Sequence, residues 1–303
     1  MKLHPIRPIT FCFAVALLFP PISSKVFAAT TNLTPVADTT LRNAAADTSF
    51  GVLTSLPVGV SAGVTSISHG LFKFPIEQIP ANATVTQVTL QLASMVSNPN
   101  TMSTANYQLF RMLRDWTEPD STWNTRLAPA AAWGSAGGQA NVDYVSAASG
   151  AALIAPSTIG GPSLSLFSSA GMLSDVQLWR THPGTNFGWM LIAENELAAS
   201  GKQIASREDA LNTPVLTITY TLPAPPPLLF DVAPVGNQLR FSFAAVAAQA
   251  YLVEFRTNLT THPWEPLQNI SAPPVDTTIH VTNNIVGDER YFRVKLDEGI
   301  LSE

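Results

Sequence analysis

Asp115, Glu118 and Asp120 lie in one short stretch, the last two between Trp116 and Trp123. Paired carboxyl groups are the machinery of glycoside hydrolysis, one protonating the leaving oxygen while the other activates water or attacks carbon. Here, however, the acids surround Pro119, and Asp or Glu beside proline builds turns and pairs locally. The structural reading is the stronger for them, as it is for Glu194, Glu196, Glu208 and Asp209. Gly59-Val60-Ser61-Ala62-Gly63 matches the nucleophile-elbow pattern. That chemistry needs a strand before and a helix after, so that the serine stands on a sharp turn, and the residues that follow read as a strand. His69, His182, His262 and His280 are scattered, without the pairing a metal site requires. No catalytic constellation emerges.

Binding is better supported. Lys73, Arg111 and Arg207 are charges set inside apolar, strand-like stretches, where alternation is expected to point them away from Phe72 and Phe74. On one shared sheet face they would form a basic strip able to pair with the carboxylates of a uronic acid polymer, arginine doing so bidentately. The competing reading pairs them with Glu208 or other cross-strand acids. Trp133 and Tyr144 fall in the irregular Ala/Gly-rich stretch Ala128–Gly150. They are expected either to offer ring faces for sugar stacking or to plug the edge of a sandwich.

The elements that must position these residues are strands. In Leu71–Leu92, Phe72 and Phe74 share one side with Lys73 opposite, and Val88, Leu90 and Leu92 alternate with Gln87, Thr89 and Gln91. We expect a hairpin in the middle of an antiparallel sheet, its apolar face covered by a second layer. Val36–Asn43, Thr54–Val60, Tyr107–Leu113, Phe187–Ile192 and Pro214–Tyr220 are further strand candidates. Ala29–Pro35 reads as a polar lead-in, and Ala128–Gly150 as a long loop with at most one strand near Val142–Val145. Met172, Val176 and Trp179 predict a short helix over Met172–Arg180 that plugs one end of the sandwich. The prolines of Leu222–Pro227 predict a stiff linker. Beyond them, alternation at Leu239–Phe243, Tyr251–Phe255, Ile279–Val281 and Phe292–Leu296 predicts a second, smaller sandwich of immunoglobulin or fibronectin size.

Lys2 and Arg7, the apolar run Ile9–Phe19 and Val26-Phe27-Ala28 read as a secretory signal cleaved after Ala28. The one cysteine, Cys12, lies inside it, so the mature chain has no thiol for catalysis, metal ligation or disulfides. An exported chain without disulfides suits a bacterial source. Taking Lys2, Arg7 and Lys25 from the 16 basic residues leaves 13 against 21 acidic ones, a net charge of −8. Such a balance disfavours nucleic acid and anionic membranes as partners. No apolar run of the mature chain is long enough for a transmembrane helix.

Several motifs together carry a resemblance. Ala37–Asn43 (ADTTLRN), LFKFPIEQIPANATVTQVTLQL, Arg114–Asn124 (RDWTEPDSTWN), Asp175–Trp179 (DVQLW), Thr185–Ile192 (TNFGWMLI) and Ala205–Tyr220 (ASREDALNTPVLTITY) come in the order seen in DNRLRE-domain proteins. The resemblance implies a jelly-roll-like β-sandwich on a secreted bacterial protein, related to carbohydrate-binding modules of which some bind alginate-type polymers. It also implies that Trp116, Trp123 and Trp189 are core. Pro75 and Lys73 stand where the family usually has aspartate and arginine, which implies a different ligand or none if that aspartate pairs with a groove arginine. Jelly-roll modules often carry a structural calcium near the first strand, and Asp38 is placed to give one oxygen, although one carboxylate does not make a site of six to eight oxygens. No cofactor is otherwise called for. Tyr251–Leu259 and Arg290–Leu296 resemble fibronectin-type modules.

The expectation is thus an all-β protein: signal peptide 1–28, jelly-roll-like β-sandwich with one short helix over 29–221, linker 222–227 and fibronectin-like sandwich 228–303. Its expected role is secreted, extracellular or surface-held, non-catalytic binding of an alginate- or pectin-like polysaccharide. The alternative is a structural or adhesive envelope component with no glycan site.

Overall fold

The computed structural model describes residues 27–95, 103–127, 131–157, 161–222, 226–284 and 289–297. Residues 1–26, which carry most of the signal-peptide reading and Cys12, lie outside that set, as do most of the polar loop 98–104 and residues 223–225 of the proline stretch. The chain divides into two compact units, Val26–Pro223 and the part from Ala224 onward.

The first unit is a two-layered β-sandwich. Its strands are β1 (Phe27–Leu33), β2 (Ala37–Arg42), β3 (Ser55–Val60), β4 (Ile67–Lys73), β5 (Thr84–Met95), β6 (Ala105–Arg111), β7 (Thr125–Leu127), β8 (Ala131–Ala132), β9 (Gly150–Ile154), β10 (Ser163–Phe167), β11 (Trp189–Ala193), β12 (Lys202–Ala205) and β13 (Val215–Leu222). One layer runs β1-β13-β5-β12-β3, with β10 also on β5; the other runs β4-β11-β6-β9, with β2 on β4. All of these pairings are antiparallel. The minor pair β7-β8 lies apart.

Strand β3 belongs to both layers. Ser55–Val58 pair with β12, whereas Gly59 and Val60 pair with β4. The switch falls at Gly59, whose φ of 83° lies in the left-handed region that suits glycine. A Cβ there would stand 2.3 Å from the Tyr107 hydroxyl oxygen.

The central motif differs from the expected hairpin. β4 and β5 do not pair: β4 lies in one layer and β5 in the other, so Pro75, Ile76 and Ile79 carry the chain across the sandwich. Phe72 and Phe74 therefore meet Val88, Leu90 and Leu92 through a shared core, not edge to edge. Ala29–Pro35 also differs from a lead-in, because β1 pairs along its whole length with β13, from Phe27 opposite Leu222 to Leu33 opposite Leu216. Cleavage after Ala28 would leave Ala29 to Leu33 paired. Val142–Val145 forms no strand; Tyr144 makes only isolated bridges, to Met112 and Ala140.

Helix α1 (Ala170–Thr181) is the expected one, starting where the Ser169 Oγ accepts from the Met172 N–H at 3.1 Å. Met172, Val176 and Trp179 close the main core. A second apolar cluster, with Leu41, Leu71, Trp116, Trp133 and Met190, lies on the other face of the β4 layer, beneath the long loop. Strand β4 is thus buried on both faces, which is why its sequence is nearly continuous in apolar and small residues.

The C-terminal unit has its own core of Phe241, Phe243, Tyr251, Val253, Val281 and Val294. Strands β14 (Leu229–Val235), β15 (Gln238–Ala245) and β18 (Thr277–Asn284) form one sheet; β16 (Tyr251–Arg256), β17 (Glu265–Ile270) and β19 (Tyr291–Leu296) form the other. The architecture is all-β apart from α1 and short 3-10 turns. No helix among the described residues is long and apolar enough to cross a membrane.

Candidate functional site

The three cations expected to form a strip are each taken by an acid, and they do not share a face. Lys73 points from β4 toward the long loop, with Nζ 3.5 Å from Asp115. Arg111 lies opposite Trp189, which in turn lies opposite Phe72, so its side chain is on the core side and not away from it. There its Nε meets Asp175 of α1 at 2.9 Å. Arg207 sits in the turn after β12 and not inside a strand; it grips Glu118 at 2.9 and 2.7 Å and Glu208 at 3.0 Å. Glu208, the acid weighed against the strip, does pair with Arg207, whereas Asp115, Asp175 and Glu118 come from remote parts of the chain.

The aromatic platforms also resolve. Trp133 is only 5 % exposed, and its indole N–H donates to the Thr122 carbonyl at 2.9 Å, so it is a plug. Tyr144 is half-buried against Phe110, with ring centroids 5.3 Å apart, and burial raises its pKa. Trp116 and Trp189 are core as expected; Trp123 is half-buried, its ring 5.1 Å from that of His69. His69 itself is held between the Gly137 carbonyl at 2.8 Å and Glu196 at 2.7 Å. Ser61 lies in a strand–turn–strand segment between β3 and β4, where its Oγ accepts from the Ser66 N–H at 3.0 Å. No helix follows it, so the elbow geometry is absent.

Where β3 changes layers, the fold opens a cavity of about 310 Å³, within the ordinary size range of a small ligand site. Arg42, Ser68 and Gly59 stand abreast on β2, β4 and β3. With Ser61, Ser66, Gln203 and Lys202 they provide the polar part of the lining, which contains two cations and no acid. Arg42 has no ion pair with any described residue. Its guanidinium lies 5.0 Å from the Phe50 ring, and its Nε is buried without a hydrogen-bond partner. Lys202 is 2 % exposed; its ammonium donates to the carbonyls of Ser103, Ser200 and Gly201 at 2.7, 2.8 and 3.5 Å. Burial lowers its pKa.

The cavity wall is fixed by a small network. The Tyr107 hydroxyl donates to the Ser200 carbonyl at 2.6 Å, the Val60 N–H donates to Ser200 Oγ at 3.1 Å, and the Gly201 N–H reaches the Val60 carbonyl at 2.7 Å. Burial drives the Tyr107 pKa upward, so the group stays a neutral donor. Sequence reasoning did not single out Arg42 or Lys202. Arg42 was legible only as a cation at the end of a strand motif, and Lys202 as one residue between two turns.

Asp38 is fully buried at the head of β2. Its Oδ2 accepts from the Arg207 backbone N–H at 2.8 Å, and its own N–H donates to Glu118 Oε1 at 3.1 Å. Desolvation, with Glu208 and Glu118 nearby, pushes its carboxyl up to about 7 despite the Arg207 contact.

Residues 29–147 match the model of carbohydrate-binding module family 96. The similarity supports a carbohydrate-binding domain in this part of the chain. The family 96 match spans β1 to β8 and most of the long loop, and so contains Arg42 and the three serines of the cavity, Asp38 and Glu118; Lys202, Gln203, Arg207 and Glu208 lie beyond it. No curated protein matches the chain.

Proposed function

We propose that the first unit is a secreted, non-catalytic polysaccharide-binding module that takes a carboxylate-bearing sugar, of alginate or pectin type, at the cavity lined by Arg42. The observation that carries this reading is a pocket with two cations and no acid on a protein whose net charge is −5. A guanidinium without an acid partner can accept a uronate carboxylate as a bidentate pair, while Ser61, Ser66, Ser68 and Gln203 offer hydroxyl and amide groups to the ring hydroxyls. Export rests on the basic start and apolar run of the first residues, with the C-terminal unit read as a fibronectin-type module beyond a proline linker.

The neutralised Lys73, Arg111 and Arg207 and the buried Trp133 favour a second reading, a structural or adhesive envelope protein with no glycan site. Native electrophoresis through gels containing alginate, pectin or a neutral polymer separates the two. The proposal expects retardation in uronate gels and its loss in Arg42→Met, which keeps the contact with Phe50 but removes the charge. Unchanged migration in every gel supports the structural alternative.

A further inference from the structure

The C-terminal unit carries a cleft of its own, of about 370 Å³, the size of a site for one small molecule. It lies where β14 loses register with β15: Asp231 and Val232 together face Phe241, and Asp231 takes a left-handed φ of 51°. Four aromatic rings, those of Phe241, Trp264, Tyr291 and Phe292, line the cleft with Leu239 and with Val232, which is 59 % exposed at its rim. No acid lines it, and its one charged member is Arg290.

Arg290 is anchored but not satisfied. Its Nη1 donates to Asn283 Oδ1 and its guanidinium lies 4.5 Å from the Phe255 ring centroid. Its Nε, however, is buried without a hydrogen-bond partner, and it has no ion pair with any described residue. The nearest acid in sequence, Glu289, accepts from the Tyr291 hydroxyl at 3.0 Å. Trp264 is fixed between two further guanidiniums, Arg256 and Arg293, at 4.5 and 4.3 Å from its ring centroid. Glu254 meets Arg293 at 2.6 Å, whereas Arg256 pairs with no described acid. A buried donor left unmatched is costly, and an anion brought to it is held by a charge-assisted hydrogen bond. We propose that this cleft binds an aromatic carboxylate, its ring among the four aromatic side chains and its carboxylate on Arg290. The β14 edge argues against a peptide strand as occupant. β14 pairs only with β15, but Pro234 offers no N–H and the bulge interrupts the ladder, two features that block strand addition.

The site belongs to a different unit from the Arg42 cavity, and it is tested without glycan. Full-length protein is titrated with naphthoate and with its neutral counterpart naphthamide, following heat and tryptophan fluorescence. The expected result is saturable binding of naphthoate, with naphthamide about tenfold weaker or more. Arg290→Met, which keeps an apolar contact with Phe255, should lower naphthoate affinity about tenfold or more and remove that preference. Val232→Glu sets a negative charge at an exposed rim position, so it should also weaken naphthoate and keeps the test readable if Arg290→Met does not fold. Arg42→Met should bind naphthoate as the wild type does. Absence of saturable binding, affinity unchanged in Arg290→Met or in Val232→Glu, or equal affinity for naphthamide overturns the proposal. So does a loss in Arg42→Met that Arg290→Met does not share, because it assigns the acid to the other cavity.

Discussion

Arg111 and Asp175 are joined across the end of the core, and the Asp175 Oδ2 also accepts from the Trp189 indole N–H at 2.8 Å. Removing one partner of a largely buried pair leaves a charge with poor solvation, which costs up to about 3–5 kcal/mol. Because Arg111 keeps 22 % of its side-chain exposure, Arg111→Met is expected to cost about 2 kcal/mol. Urea unfolding should register that loss, with retardation in uronate gels unchanged. Asp38 gives a pH signature. Its carboxyl, raised to about 7, binds its proton more tightly in the folded state than in the unfolded chain. Its contribution to stability is therefore present in acid and lost as pH rises between about 4 and 7. Urea midpoints across that window should fall for wild type, and the slope should flatten in Asp38→Asn. At this scale the sequence showed the cations and one counter-charge, Glu208 beside Arg207, but not the distant ones: Asp115 lies 42 residues from Lys73, and Glu118 lies 89 from Arg207. Only the fold brings them together. For the same reason an arginine with no ion pair among the described residues, such as Arg42, looks like any other along the chain.

At the scale of elements, the position of the cavity follows from one kink. Gly59→Ala must place a Cβ within 2.8 Å of Ser200 Oγ, closer still to Tyr107, and hold an alanine at φ 83°. Overpacking of this kind costs about 1–3 kcal/mol. Thermal melting should show the loss, and glycan affinity should weaken with it, because the β3 switch forms the cavity wall. Ser169→Ala, which removes the cap of α1, is expected to cost about 1 kcal/mol with no effect on binding. Helix α1 was legible because Met172, Val176 and Trp179 repeat at helical spacing. β5 was legible because Val88, Leu90 and Leu92 alternate. The partnership of β4 and β5 was not, since a turn containing Pro75 and Pro80 does not reveal whether the chain returns along its own sheet or crosses to the opposite layer. β1 was missed because its threonines and alanines alternate weakly; its order comes from pairing with β13.

Across the whole molecule, two separate cores hold the two units, one behind Phe72 and Trp189 and the other behind Phe241 and Phe243. Phe243→Ala, at a fully buried site, should destabilise the C-terminal unit by about 3–5 kcal/mol. The transition of the first unit and its glycan retention should be unaffected, as calorimetry and the gel assay can establish. An all-β architecture was readable from composition and period-two alternation, whereas the cavity arises from layer switching that no local pattern encodes. The most direct test is isothermal titration of a uronate oligosaccharide into wild type and Arg42→Met at low and high salt. Loss of Arg42's charge-assisted hydrogen bonds, about 1.5–3 kcal/mol, should weaken binding about tenfold or more, and salt should weaken the wild type more than the variant. Equal affinity in the two proteins, or equal affinity for a neutral oligosaccharide, would contradict uronate capture at this cavity.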